Sequence, residues 1–153
     1  MNLSPPFFPD VNIWVNALNA SAADHRVCRL WLDDVTSSGG ILLVNDLTEC
    51  ALLRISSHRL LGIANSEIAM DFHKALLDYP NTQRISPSER HWETLHSLIR
   101  TLSLSGNEIN DAWLAALAIE RGATLISLDQ GFSRFPGLSW FNPAMHSQTI
   151  ENP

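Results

Sequence analysis

The sequence predicts an α/β fold with a mostly parallel central sheet covered by helices on both faces. Three observations carry this expectation. Ile41-Leu42-Leu43-Val44 is an unbroken apolar block bounded by Gly39-Gly40 and Asn45-Asp46, the pattern of a strand buried on both sides. Strand-like blocks alternate with stretches of helical periodicity along the chain. The stretch from Asp111 to Arg121 is apolar nearly all round, from Trp113 through Ile119, so it belongs in the centre. The 153 residues fit one domain, 1–153, with a core expected over about 7–143.

Taken in order, Phe7-Phe8-Pro9 reads as a brief strand broken at Asp10, and Val11 to Leu18 as a short helix. Ser21 opens a helix running to Val35, with Val27, Leu30, Trp31 and Val35 on one face. The strand at Ile41–Val44 is followed by a helix from about Leu47 to Ile55. Another helix starts at Ser66, places Ile68, Phe72, Ala75 and Leu76 at helical spacing, and ends at Tyr79-Pro80. Ile85 belongs to a short strand. Ser86-Pro87-Ser88-Glu89 combines a serine cap, proline at the first helical position and glutamate at the third. That helix should carry Trp92, Leu95, Leu98, Ile99 and Leu102 inward. Asn107 or Asn110 caps the next, Asp111–Arg121, which Gly122 terminates. Ala123–Leu128 and Leu138–Phe141 are the last strands.

Composition narrows the functional classes. Hydrophobic residues make up 45% and charged residues only 17%, less than the roughly 25% usual for soluble domains, which points to a surface covered by a partner. Abundant Trp and Leu on the earlier helices point the same way, towards a homodimer. The 16 acids outweigh 10 cations, of which Lys74 is the only lysine, so a general basic face for nucleic acid is excluded. Cys28 and Cys50 both read as packed, reduced thiols. No apolar run is long enough to span a membrane, and Met1-Asn2-Leu3-Ser4-Pro5-Pro6 lacks a signal-peptide pattern, so a cytoplasmic location is expected. There is no HExxH, His91 and His96 are wrongly spaced for two ligands on one helical face, and no P-loop exists. A phosphoacceptor receiver needs a late lysine, which Lys74 is not.

In parallel sheets ligands bind beyond the carboxyl ends of the strands. Asp10 follows the first strand, Glu49 lies shortly beyond the second, Asp129 follows Ala123–Leu128, and Asp111 starts the central helix. If they converge, four carboxylates repel one another unless a cation is present, and a hard divalent cation such as Mg²⁺ prefers oxygen ligands. Each acid also has an ordinary reading. Asp46 and Glu49 have capping-box spacing, Asp111 complements a helix dipole, and Asp10 and Asp129 suit turns. Arg54, His58 and Arg59 form a small cationic cluster that suits either RNA phosphates or a solvated helix end.

Four segments in this order resemble a known family. They are Asp10-Val11-Asn12-Ile13-Trp14, the stretch from Thr48-Glu49 to Ser57, Asn110-Asp111-Ala112-Trp113-Leu114-Ala115-Ala116-Leu117-Ala118, and Leu125-Ile126-Ser127-Leu128-Asp129. Together they resemble the PIN domain, specifically the VapC toxin ribonucleases, over about Phe7 to Pro143. The resemblance implies a three-layer PIN-like fold and a Mg²⁺- or Mn²⁺-dependent endoribonuclease. It also implies a homodimer, an RNA substrate and neutralisation by a VapB-type antitoxin. It matches Asp10, Glu49, Asp111 and Asp129 to the family's acidic quartet, and Asn12 and Ser127 to its supporting polar positions. Gly131 stands where many relatives carry a further Asp or Asn, and Ser4-Pro5-Pro6 is a slightly long start with no functional reading. The alternative is a catalytically silent PIN-like interaction module, against which the four retained acids speak.

Overall fold

Side chains leave alternate faces of each strand, so a sheet between two helical layers needs apolar residues at every position. The inner strands come close to that need, with Phe8, Leu42, Leu43, Val44, Leu125 and Ile126 all buried. The computed structural model describes residues 4–60, 63 and 65–146. Met1-Asn2-Leu3, read above as lacking a leader pattern, lie outside the described residues.

The elements run β1 (Phe7–Pro9), α1 (Val11–Leu18), α2 (His25–Ser37), β2 (Leu42–Val44), α3 (Asp46–Ser56), α4 (Ser66–Asp78), β3 (Thr82–Arg84), α5 (Glu89–Leu102), α6 (Glu108–Glu120), β4 (Thr124–Ile126), a 3₁₀ turn (Gln130–Arg134), β5 (Ser139–Phe141) and α7 (Pro143–His146). The five strands form one sheet in the order β3-β2-β1-β4-β5, and every pairing is parallel. Phe8, Leu43 and Leu125 face a core built with α5 and α6, where Leu95, Leu98, Ala112 and Ala115 to Ala118 are buried. Leu42, Val44 and Ile126 face a second core with Ile13, Trp14, Cys28, Leu32, Leu52 and Leu76 from α1 to α4. Each large apolar side chain wholly withdrawn from water, such as Phe8 or Ile13, contributes about 1.5–3 kcal/mol. The expected three layers with a parallel sheet are therefore present.

Several local expectations need correction. The second helix begins at His25, not Ser21, and Leu30 points outward while Cys28, Leu32 and Val35 face the core. Ile68 and Ala75 are exposed on α4, where Ala69 and Leu76 are the buried positions. Ile85 lies just past β3, which is built from Thr82–Arg84 and forms a polar edge. Helix α5 is capped by Ser88 rather than Ser86, without a side-chain bond, and the Ser88 amide donates to Glu120. Its buried stripe is His91, Leu95 and Leu98, and Trp92 turns outward. Helix α6 starts at Glu108 after Asn107, again without a side-chain cap, and Gly122 ends it with a φ of 58°. Cys50 is exposed, unlike the buried Cys28, whose thiol pKa burial pushes up to about 12. The last two predicted strands shorten to Thr124–Ile126 and Ser139–Phe141.

The strand order reverses direction of travel between β1 and β4. That boundary is the place in a parallel sheet where loops separate and a crevice opens at the carboxyl ends.

Candidate active site

Asp10 leaves the end of β1 and caps α1, its Oδ1 accepting from the Val11 amide at 2.7 Å. Its other oxygen, Oδ2, accepts from Ser127 Oγ at 2.9 Å and from Asn12 Nδ2 at 3.1 Å. Ser127, fully buried just past β4, also accepts from Asn12 Nδ2 at 2.9 Å and from the Asp129 amide at 3.1 Å. Asn12 Oδ1 closes the circuit by accepting from the Leu128 amide. The supporting residues expected from sequence thus join the ends of β1 and β4, and they fix the direction of the Asp10 carboxylate. Asp129 caps the 3₁₀ turn, its Oδ1 accepting from the Gly131 amide at 2.7 Å. A Cβ at position 131 would stand only 3.0 Å from that oxygen, so glycine there leaves room for the Asp129 carboxylate.

Asp111, in the first turn of α6, completes a group of three. Burial raises the pKa of Asp10, and the charges of Asp111 and Asp129 raise it further, against the hydrogen bonds from Ser127 and Val11. Burial likewise raises that of Asp111, with Asp129 and Glu108 adding to it and Arg134 opposing. Two carboxylates raised in this way beside a third acid mark a site deficient in positive charge. Among the described residues, no three His, Cys, Asp or Glu side chains are already closed around one point. Mg²⁺ does not require that, because it keeps several waters and binds through one or two carboxylates together with substrate oxygens. The donor set therefore fits a hard divalent cation.

Glu49, the fourth acid of the expected quartet, is engaged with basic partners from β3 and α4. Its carboxylate, 9% exposed, accepts from both terminal nitrogens of Arg84, with Nη2 to Oε1 at 2.7 Å, and pairs with His73 Nε2 at 2.8 Å. It is not half of a capping box, since Asn45 caps α3 by accepting from the Leu47 amide. The face of α3 that meets the aspartates carries Leu47, Thr48, Ala51 and Arg54 instead. With Asp10, Val11, Ile109, Asn110, Asp111, Trp113 and Leu114 these line a cleft of about 420 Å³. A cavity of about 460 Å³ lies at the opposite, amino ends of the strands, among Phe7, Trp31, Gly40 and Ile41, away from the acids. Of the predicted cationic cluster, Arg54 lines the cleft, whereas His58 and Arg59 are exposed in the turn after α3 and do not. Sequence reasoning passed over Thr48, Arg84, His73 and Arg134. For Arg134 a signal existed: it closes the short turn that Asp129 opens.

Residues 7–138 match the PIN domain family. The chain belongs to that family. Among curated PIN relatives, it is 34% identical over 136 residues to ribonuclease VapC43 of Mycobacterium tuberculosis, covering 88% of this chain and 92% of the relative. It is 30% identical over 139 residues to ribonuclease VapC25 of the same organism, covering 90% and 98%. Among solved structures, the fold is similar to VapBC2 from Rickettsia felis bound to a promoter DNA fragment, at a TM-score of 0.67 and 20% identity, covering 89% of this chain and 97% of that one. It is also similar to the sarcin-ricin loop cleaving toxin VapC20 of M. tuberculosis, at a TM-score of 0.62 and 17% identity, covering 87% and 98%. As a PIN domain, the chain has its aspartates at the sheet position where parallel α/β proteins bind ligands. Among the described residues, no helix is long and apolar enough to cross a membrane.

Proposed function

We propose that this PIN domain is a divalent-metal-dependent endoribonuclease toxin of the VapC type, restrained by a VapB-type antitoxin. The observation that carries the reading is the placing of Asp10, Asp111 and Asp129 at the β1/β4 crevice, with Asp10 fixed by Ser127 and Asn12 and with burial and neighbouring carboxylates raising Asp10 and Asp111. Asp10, Asp111 and Asp129 would hold Mg²⁺ or Mn²⁺, directly or through water. Glu49, matched to the same set by resemblance, is already committed to Arg84 and His73 and acts as a fixed brace beside it. A divalent cation bound at this place supplies a water of lowered pKa and offsets charge on the phosphate. Ser127 and Asn12 keep the Asp10 carboxylate aimed while that charge changes. Arg54 offers a guanidinium to an RNA phosphate entering the cleft, and the apolar wall of Leu47, Ile109 and Leu114 excludes water around it. Hydrolysis by water rather than by the ribose 2′-hydroxyl leaves 3′-hydroxyl and 5′-phosphate ends.

The names of the curated relatives support the ribonuclease, and neighbours described as toxin–antitoxin complexes support the antitoxin. The expected homodimer would draw on exposed apolar side chains of α3 and α4, such as Leu47, Ile68 and Met70. Light scattering at tens of micromolar reads it directly, and a monomer there removes it. The function is tested by incubating total RNA with purified protein in Mn²⁺, in Mg²⁺ and in chelator, then mapping the new ends. Discrete cleavage that needs the metal and vanishes in Asp10→Asn is expected. Intact RNA with wild-type protein, together with no rise in melting temperature at millimolar Mn²⁺, would leave the silent interaction module instead.

A further inference from the structure

The turn that begins at Asp129 ends in a cation placed beside the aspartates. Arg134 Nη1 lies 2.9 Å from Glu108 Oε1, its Nη2 lies 3.9 Å from Asp111 Oδ2, and its guanidinium stands 5.1 Å from the centre of the Phe135 ring. The three charged side chains are 36%, 43% and 37% exposed. Ion pairs this open to solvent add little to the stability of a fold. The contact with Phe135 fixes where the guanidinium sits without neutralising it.

A phosphodiester brought to this site adds negative charge where three carboxylates already stand. The chain has only 10 Lys and Arg to meet it. Arg84 is bound to Glu49 and Asp46, whereas Arg54 lines the cleft from α3 and Arg134 stands at the first turn of α6. A guanidinium held to an exposed carboxylate can exchange that oxygen for a phosphate oxygen of the same geometry with little loss, and its fork fits two phosphate oxygens at once.

We propose that Arg134 is a substrate residue: it leaves Glu108 and Asp111 to grip a phosphate of the bound RNA beside the aspartates, working with Arg54. The proposal rests on the ribonuclease reading and adds to it which side chain holds the strand. Binding is measured apart from cleavage, by fluorescence anisotropy of a labelled single-stranded oligoribonucleotide on protein carrying Asp10→Asn. Arg134→Gln should weaken binding about tenfold and lower the slope of log affinity against log salt by about one. Arg134→Lys should keep the salt slope while losing part of the affinity. Glu108→Gln, which frees the guanidinium, should tighten binding about two- to fivefold. In the cleaving protein, Arg134→Gln should raise KM, and calorimetry should show Mn²⁺ affinity undiminished. RNA affinity and salt slope unaltered in Arg134→Gln would overturn the proposal. So would an equal loss in the glutamine and lysine variants accompanied by a lower melting temperature, the mark of a purely structural role. If wild-type protein neither cleaves nor binds RNA in Mn²⁺, the ribonuclease reading itself falls; a wild-type protein that does both, with no binding defect in the Arg134 variants, rejects this assignment alone.

Discussion

Replacing Arg84 by methionine separates the brace from the metal site. In the native protein the Glu49 carboxylate is almost fully buried and held by the Arg84 fork and by His73, linking α3, β3 and α4. Arg84→Met leaves that charge with His73 alone. Breaking a fully buried ion pair by removing one partner costs about 3–5 kcal/mol. Arg84 is itself 48% exposed, so water can refill part of the gap, and about 2–3 kcal/mol is the expected loss. The third contact, Asp46, is 81% exposed and adds little. For a chain of this length about 1 kcal/mol moves the melting temperature by about 2–4 °C, so a fall of about 4–12 °C is expected. Adding Glu49→Gln to Arg84→Met removes the stranded charge and should restore most of that loss. Urea unfolding of the two single variants and the double variant measures the coupling. Calorimetry should find Mn²⁺ affinity in Glu49→Gln within about threefold of wild type, a difference of under 1 kcal/mol. Wild-type stability in Arg84→Met would refute the brace. Loss of Mn²⁺ binding in a folded Glu49→Gln would refute the exclusion of Glu49 from the metal site.

Three further outcomes are expected. Asp111→Asn or Asp10→Asn should abolish cleavage, lose at least about tenfold in Mn²⁺ affinity and raise the melting temperature of the metal-free protein, since each removes a crowded charge. The folded pKa of Asp10 and Asp111 exceeds the unfolded 3.8, so metal-free stability should fall as pH rises from that value through the folded one, and added Mn²⁺ should restore it at neutral pH; a flat profile in chelator counts against the crowding. His91 is buried with neither ring nitrogen hydrogen-bonded among the described residues, and burial lowers its pKa below 6.5 against the pull of Glu120. Stability should therefore decline as pH falls through 6.5 towards the folded value, and His91→Leu should flatten that decline and be neutral or more stable by about 1 kcal/mol, as read from urea midpoints.

The elements that sequence placed best are those whose signal is local. Phe7–Pro9 and Val11–Leu18 appear at the predicted limits because proline and a capping aspartate punctuate them. Asp10 and Asp129 were legible for a like reason: Asp10 directly follows β1 and Asp129 lies three residues beyond β4, so the sheet largely decides where each goes. For Glu49 spacing was silent on how α3 is rotated against the sheet: Thr48 and Ala51, in the same turn, line the cleft, while the Glu49 carboxylate meets Arg84 and His73. In α5 the buried stripe begins with a histidine, which a hydrophobic pattern does not count, so Trp92 was assigned its place. Arg134 was signalled in part, since it closes the turn that Asp129 opens, but its contact with Glu108 on α6, 26 residues away, is one that no local rule anticipates.

The circuit of Asp10, Asn12 and Ser127 joins residues 117 positions apart. β1 finds one neighbour, β2, within the first third of the chain, but its other neighbour, β4, is made only after more than 120 residues. During synthesis from the amino terminus, Asp10 therefore waits, unoriented, through most of translation. A partly made chain holds neither the serine that aims Asp10 nor Asp129. The acidic group can therefore assemble only once β4 and Asp129 have been made. Contacts this distant in sequence also slow folding, so the acidic group is among the last features of the domain to form.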